Sequence, residues 1–269
     1  PTMRTEIFRR VIAGRRKSLI WWAIGVFAMM LLVLISYPAV RDQPSLSDLL
    51  EDYPDFVQQI LGLAGGLDLT SPAGYLNSQV FANTLPIIFL IFLIAFAARE
   101  TVGEERDRTM DLGLAHPIRR ERYILQKFAA MTLTGLGLAA VAALTMIALG
   151  PALEMDLPIS GYLGATLSVY LIALVFATLA LALGAATGSR AVTFGVTSAL
   201  AIGMYILWGL APLVDALKGL DRVNPFYWGL AGVPILNGLQ IGNALLLGAI
   251  VVILAGAAVA GFRRRDIGV

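Results

Sequence analysis

The sequence predicts an all-α integral membrane protein with six transmembrane helices. Six apolar stretches of about 20 residues or more contain no Asp, Glu, Lys, Arg or His, and that length at about 1.5 Å per residue crosses roughly 30 Å of hydrocarbon. Hydrophobic residues make up 58% of the 269 and charged residues only 14%, against about 25% in soluble domains. The charges are clumped between the apolar stretches, which favours bilayer spans over one large soluble core. Strands of a membrane barrel would be shorter and would alternate in polarity. The whole chain, 1–269, reads as one transmembrane domain with spans at 18–37, 79–98, 128–150, 162–187, 191–211 and 241–262.

The N-terminal stretch holds Arg4, Arg9, Arg10, Arg15, Arg16 and Lys17 beside an apolar stripe of Met3, Ile7, Phe8, Val11 and Ile12. That pattern predicts an amphipathic helix lying in the membrane interface; the plainer alternative is a basic cluster that only sets topology. The apolar run that follows is too long for a signal peptide and lacks a small-residue cleavage site, so it reads as an uncleaved first span. Between spans 1 and 2, Leu46, Leu49, Leu50, Tyr53, Phe56, Val57, Ile60 and Leu61 repeat at helical spacing, with Asp48, Glu51, Asp52 and Asp55 on the other face. An external helical loop, broken at Pro54, is expected there.

After span 2 comes a charged island, 99–127, with Arg99, Arg106, Arg108, Arg119, Arg120, Arg122 and Lys127 interleaved with six acids. Such a segment is expected to protrude into water. Between spans 5 and 6, residues 226–240 are apolar but too short to cross and return, and they are read as short interfacial or re-entrant helices anchored by Phe226, Tyr227 and Trp228. Seventeen of the 20 Lys and Arg residues fall on the side of the termini, the island and Arg190, whereas the loop between spans 1 and 2 is acidic. The positive-inside rule then puts both termini in the cytosol and the chain in the cytoplasmic (inner) membrane.

The spans exclude several chemistries. There is no cysteine, so disulfides, thiolate metal sites and cysteine nucleophiles are ruled out. The single histidine, His116, lies in the charged island, which leaves no intramembrane Ser/His pair and no histidine metal site. No G-x-x-x-x-G-K-[ST] phosphate cradle occurs, so this chain is expected to be no enzyme and to bind no catalytic group, cofactor or metal of its own. No ionisable group sits at membrane depth, which counts against proton coupling. The polar span residues are neutral: Asn83 and Thr84 in span 2, and Thr193, Thr197, Ser198 and Tyr205 in span 5. They either hydrogen-bond between helices or line a cargo path. Small residues four apart (Ala180, Gly184 and Gly188; Gly256 with Ala260; Ala257 with Gly261) permit close helix packing, within one chain or between chains.

The island reads ARETVGEERDRTMDLGLAHPIRRERYILQKF. An acidic pair, an Arg, a Thr-hydrophobic-acid-Leu stretch, a Pro followed by basic residues and a Lys opening span 3 resemble the permease subunits of type-2 ABC exporters. Glu104, Glu105, Arg106, Thr109, Met110, Asp111, Leu112, Pro117, Arg119, Arg120 and Lys127 fill those slots. Pro72, Gly74 and Tyr75 before span 2, Asn224-Pro225-Phe226-Tyr227 with Asn237-Gly238-Leu239 before span 6, and the tail FRRRDIGV are similar to other stretches of that family. The resemblance covers nearly the whole chain. It implies two permease units, the second a copy or a relative, and two cytosolic ABC ATPase subunits that hold ATP and magnesium. It also implies a coupling helix within about 100–117 that docks on the ATPase, and a cargo route lined by spans 2 and 5.

The function expected from these readings is outward transport of an amphipathic or hydrophobic cargo, lipid-like or drug-like, with ATP hydrolysed by a separate subunit. Membrane lipids are the other expected partner, and nucleic acid is not. An ion-coupled secondary transporter would need a polar site at mid-depth. A non-transporting scaffold or lipid-handling enzyme would need, for the latter, polar groups converging near one face. The sequence displays neither.

Overall fold

The computed structural model describes residues 6–43, 54, 57–58, 61–63, 67–103, 120–211, 214, 217 and 219–264. The long helices are α1 (Glu6–Arg41), α2 (Pro72–Thr101), α3 (Arg120–Leu149), α4 (Ile159–Thr187), α5 (Arg190–Leu210) and, after two short ones, α8 (Ile241–Arg264). All six are long and apolar enough to cross a membrane. The short helices α6 (Pro225–Leu230) and α7 (Pro234–Asn237) fill the segment before the last span, where the sequence predicts them. No strand occurs among the described residues. The loop between α1 and α2, expected to be external, lies largely outside those residues.

Two elements differ from expectation. The basic N-terminal stretch is not a separate helix: α1 runs unbroken for 36 residues, about 54 Å at 1.5 Å per residue, well beyond the hydrocarbon thickness. The described part of its apolar stripe, from Ile7 to Ile12, is covered by protein. Val11 is buried, Ile7, Phe8 and Ile12 pack against the core, and the Phe8 N–H donates to Gln126 Oε1 of α3 at 3.1 Å. The second difference is the start of α2 at Pro72 rather than 79. Ser71 caps it, its hydroxyl accepting from the Gly74 N–H at 3.0 Å, and Pro72 occupies the first position, where a missing N–H costs nothing. Within α2 the chain widens into π-helical turns at Asn77–Thr84 and again at its far end, Arg99–Gly103. Such turns recur at functional positions in helices.

Helix α4 is the centre of the bundle. It is apolar all round and is the most buried span, with α2, α3, α5, α6, α7 and α8 packed against it. Gly188 at φ 62° ends it, and Ser189 caps α5 at once, its hydroxyl accepting from the Val192 N–H at 3.3 Å. Small residues allow this crowding. A Cβ on Gly184 would stand 2.1 Å from Thr101 Oγ1 at the end of α2, and one on Gly261 of α8 would touch Ala186 at 3.0 Å. Gly256, Ala257 and Ala260 face outward instead.

The segment from α6 to α7 runs along α4 toward its Ile159 end. Phe226 at its start stacks near Phe176, ring centres 5.8 Å apart, about 26 Å along α4 from Ile159 at 1.5 Å per residue. Its end, at Ile235 and Leu239, lies against Gly161 and Gly164 near the start of α4. The connection thus reaches more than half-way along α4 from its Ile159 end, as a re-entrant segment would. Between the two short helices Val233 takes φ 46°, a left-handed conformation rare for a β-branched residue, just before Pro234.

Candidate functional site

Helices α2 and α5 lean together so that their apolar sides leave a cavity of about 440 Å³. Pro86, Ile87, Leu90, Ile91, Ile94 and Ala95 of α2 form one wall, and Phe194, Ser198, Ala201, Ile202 and Tyr205 of α5 the other. Its only side-chain oxygens are the hydroxyls of Ser198 and Tyr205. Ile87, Ile91 and Ile202 are more than half exposed, so the cavity opens sideways on a face that no described residue covers. The chemistry available is apolar contact with one or two hydrogen bonds, the usual make-up of a site for a greasy small molecule.

Above this cavity the two helices are tied by polar groups. Tyr205 Oη donates to Asn83 Oδ1 at 2.8 Å and lies 3.3 Å from Ala82 O. Asn83 in turn donates to Ser78 O at 2.9 Å, and Thr84 to Gln79 O at 2.5 Å, each reaching five residues back because the π-helical turn widens the spiral. The Tyr205 ring also meets Phe226 edge-on at 5.3 Å and Trp208 at 5.9 Å. Asn224 fixes Phe226 there, capping α6 through Oδ1 and donating from Nδ2 to Met204 O at 2.6 Å.

Of the six candidate cargo-path residues, Ser198 and Tyr205 line the cavity and Asn83 is bonded to Tyr205 at its edge. Thr84 is turned to its own backbone. Thr193 and Thr197 are fully buried away from the cavity, Thr193 donating to Ser189 O at 2.8 Å. Thr197 Oγ1 has no hydrogen-bond partner among the described residues. The loop residues Glu104, Glu105, Arg106, Thr109, Met110, Asp111, Leu112 and Pro117 lie outside the described residues. No cluster of His, Cys, Asp or Glu able to hold a metal is found among those described.

The Asn83–Tyr205 contact yields a measurable expectation. Comparing Asn83→Ala, Tyr205→Phe and the double variant in detergent unfolding gives a coupling of about 0.6 kcal/mol, and no more than about 1.7, the range for side-chain hydrogen bonds between membrane helices. A coupling of zero would mean the bond does not tie the two helices.

The roots of the charged island are buried, contrary to the expectation of a wholly solvated segment. Lys127 is 0% exposed and Glu100 only 5%. Arg15 of α1 pairs with Glu100 Oε1 at 2.6 Å, and Lys127 Nζ lies 3.8 Å from Glu100 Oε2 while donating to the Glu100 main-chain oxygen. Each cation also lies over a ring: Arg15 over Phe96 at 4.3 Å, Lys127 over Tyr123 at 4.2 Å. Charge pairing and aromatic faces replace the water these groups lose. A Glu just after one span and a Lys just before the next was the available signal in the sequence.

A bundle of six helices, each long and apolar enough to cross a membrane, defines a multi-pass membrane protein. The chain belongs to the ABC-2 family transporter proteins, whose family model matches residues 7–267. It is therefore the permease component of an ABC transporter. Permeases of this family generally work with ATPase subunits and are typically not catalytic themselves. No curated protein matches the chain.

Proposed function

We propose that this permease is half of the membrane core of an ATP-driven exporter that moves a hydrophobic or amphipathic molecule outward. The observation that carries the proposal is the cavity between α2 and α5, about 440 Å³ and almost wholly hydrocarbon-lined. A strongly charged solute would have to shed its hydration there without compensation; a lipid-like or drug-like molecule would not. The uncovered sides of α2 and α5 are where a second permease, a copy of this chain or a relative, encloses the route.

The charge asymmetry supports cytosolic termini in a cytoplasmic membrane. The segment 99–127 then faces the compartment that holds ATP, and two ABC ATPase subunits, carrying ATP and magnesium, dock on it. Interleaved charges give orientation and partner discrimination, and Met110 and Leu112 supply apolar anchors.

The test is co-purification with the cognate ATPase, reconstitution in liposomes, and measurement of ATP-dependent movement of an apolar fluorescent cargo. Wild type is expected to transport and to show cargo-stimulated hydrolysis. Replacing Glu105 and Arg106 together by Ala is expected to weaken ATPase association at least fivefold. An undiminished association and activity would remove those two residues from the docking surface; a wild-type complex without ATP-dependent transport would end the exporter reading.

A further inference from the structure

We infer that Glu100 is a positioning residue: its carboxylate holds α1, α2 and α3 in one rigid junction at the base of the 99–127 loop, so that a displacement of that loop moves the three helices together. The inference rests on the proposed ATP-driven transport and adds to it the element of this chain that would pass the motion on.

Glu100 and Lys127 flank the segment 104–119 on its two sides, and they meet in the bundle. A pull or push on that segment reaches this pair through the ends of α2 and α3. Arg15 brings in α1 through a 2.6 Å bond to the same carboxylate. Tyr123, which carries the Lys127 ammonium on its face, stacks on Phe262 of α8 with ring centres 5.7 Å apart. Thr101, the next residue after Glu100, donates to Ala97 O at 2.9 Å and sits on Gly184 of α4 so closely that no Cβ fits. One turn of chain thus meets α1, α3 and α4, with α8 reached through Tyr123, and that turn is π-helical.

Physical reasoning separates this role from plain stability. Burying an ammonium and a carboxylate together often gains nothing over well-packed apolar groups of the same size. What a buried ion pair supplies is one defined geometry, because any slippage strands a charge out of water. A junction that holds together or breaks outright, without yielding gradually, is suited to transmit a displacement.

The experiment uses the complete permease–ATPase complex and the double variant Glu100→Gln/Lys127→Met, which removes the two most buried charges together; Arg15, the other cation on Glu100, keeps 19% of its side chain exposed to solvent and can accept a hydrogen-bonded Gln in place of the carboxylate. Lys127→Arg, which keeps the charge, serves as the conservative control. The chain has no cysteine, so Gly14 and Leu125, both exposed, can be replaced by cysteine and spin-labelled to report the distance between α1 and α3. In wild type and in Lys127→Arg the distance distribution is expected to stay single with and without ATP. In the double variant it is expected to stay single without nucleotide and to broaden or split when ATP binds, while hydrolysis persists and transport per ATP falls about fivefold.

A double variant that keeps wild-type transport per ATP and a single distance in ATP overturns the inference. So does one whose distribution is already broad without nucleotide, since that marks a merely structural tie. If the wild-type complex itself shows no ATP-dependent transport, the exporter reading has failed, and the inference falls with it.

Discussion

Gly161→Val will be among the most damaging single changes in this chain, lowering stability by about 3 kcal/mol or more, at the upper end of what overpacking a close-packed core costs. A Cβ at this position would stand 2.1 Å from the main-chain oxygen of Ile235 and 3.1 Å from its carbonyl carbon. Three residues on, a Cβ at Gly164 would stand 2.5 Å from the Leu239 N. Both neighbours are backbone, so no rotamer change relieves the clash. The segment around α7 must lift off α4, and that segment is continuous with α6, which places Phe226 against Phe176 and Tyr205. Loss of stability and disturbance of the Tyr205 edge of the cavity therefore arrive together. Thermal unfolding in detergent measures the first. Gly248→Ala is the control: a Cβ there meets nothing within 4 Å, and the change is expected to be neutral or to stabilise by up to about 1 kcal/mol through lower unfolded-state entropy. Equal behaviour of the two variants would show that α7 is not seated on α4 as described.

The six spans were legible because hydrocarbon tolerates only one kind of segment, long and apolar with its hydrogen bonds made internally. The ends of the helices were less legible for the same reason. Apolarity marks the depth of the bilayer and says nothing about where a helix stops, so α1 continues through its basic turns to Glu6 and α2 begins at Pro72 in polar sequence. The Ser71-Pro72 pair did carry a start signal of the ordinary capping kind.

Which side chains meet was legible only in part. Asn83 and Tyr205 stood out as neutral polar groups within spans, but their contact across 122 positions depends on a π-helical turn that periodicity does not reveal. Glu100 and Lys127 were counted among charges that protrude into water. Their burial follows from Arg15, Phe96 and Tyr123, residues on three different helices, and no local pattern contains that combination.

The largest functional effect is expected from Ile202→Trp. Ile202 lines the cavity between α2 and α5 and is 60% exposed, so an indole is accommodated there without breaking the bundle. It would occupy the space that cargo needs, opposite Ile87 and Ile91 of α2. ATP-dependent transport of an apolar cargo should fall more than tenfold, equivalent to about 1.4 kcal/mol or more of lost binding or barrier stabilisation. Hydrolysis by the partner ATPase should persist, because nothing at the docking loop is touched. Leu200→Trp is the matched control, exposed on the same helix but off the cavity wall, and should leave transport within about twofold of wild type, a difference worth less than about 0.5 kcal/mol. Ile202→Ala should do the reverse of the block and admit bulkier cargo, since a pocket of apolar contacts discriminates by volume at roughly 1–3 kcal/mol per methylene excluded or lost. If Ile202→Trp and Leu200→Trp were equally active, cargo would not pass between these helices, and the cavity would be only a seam filled by a neighbouring permease.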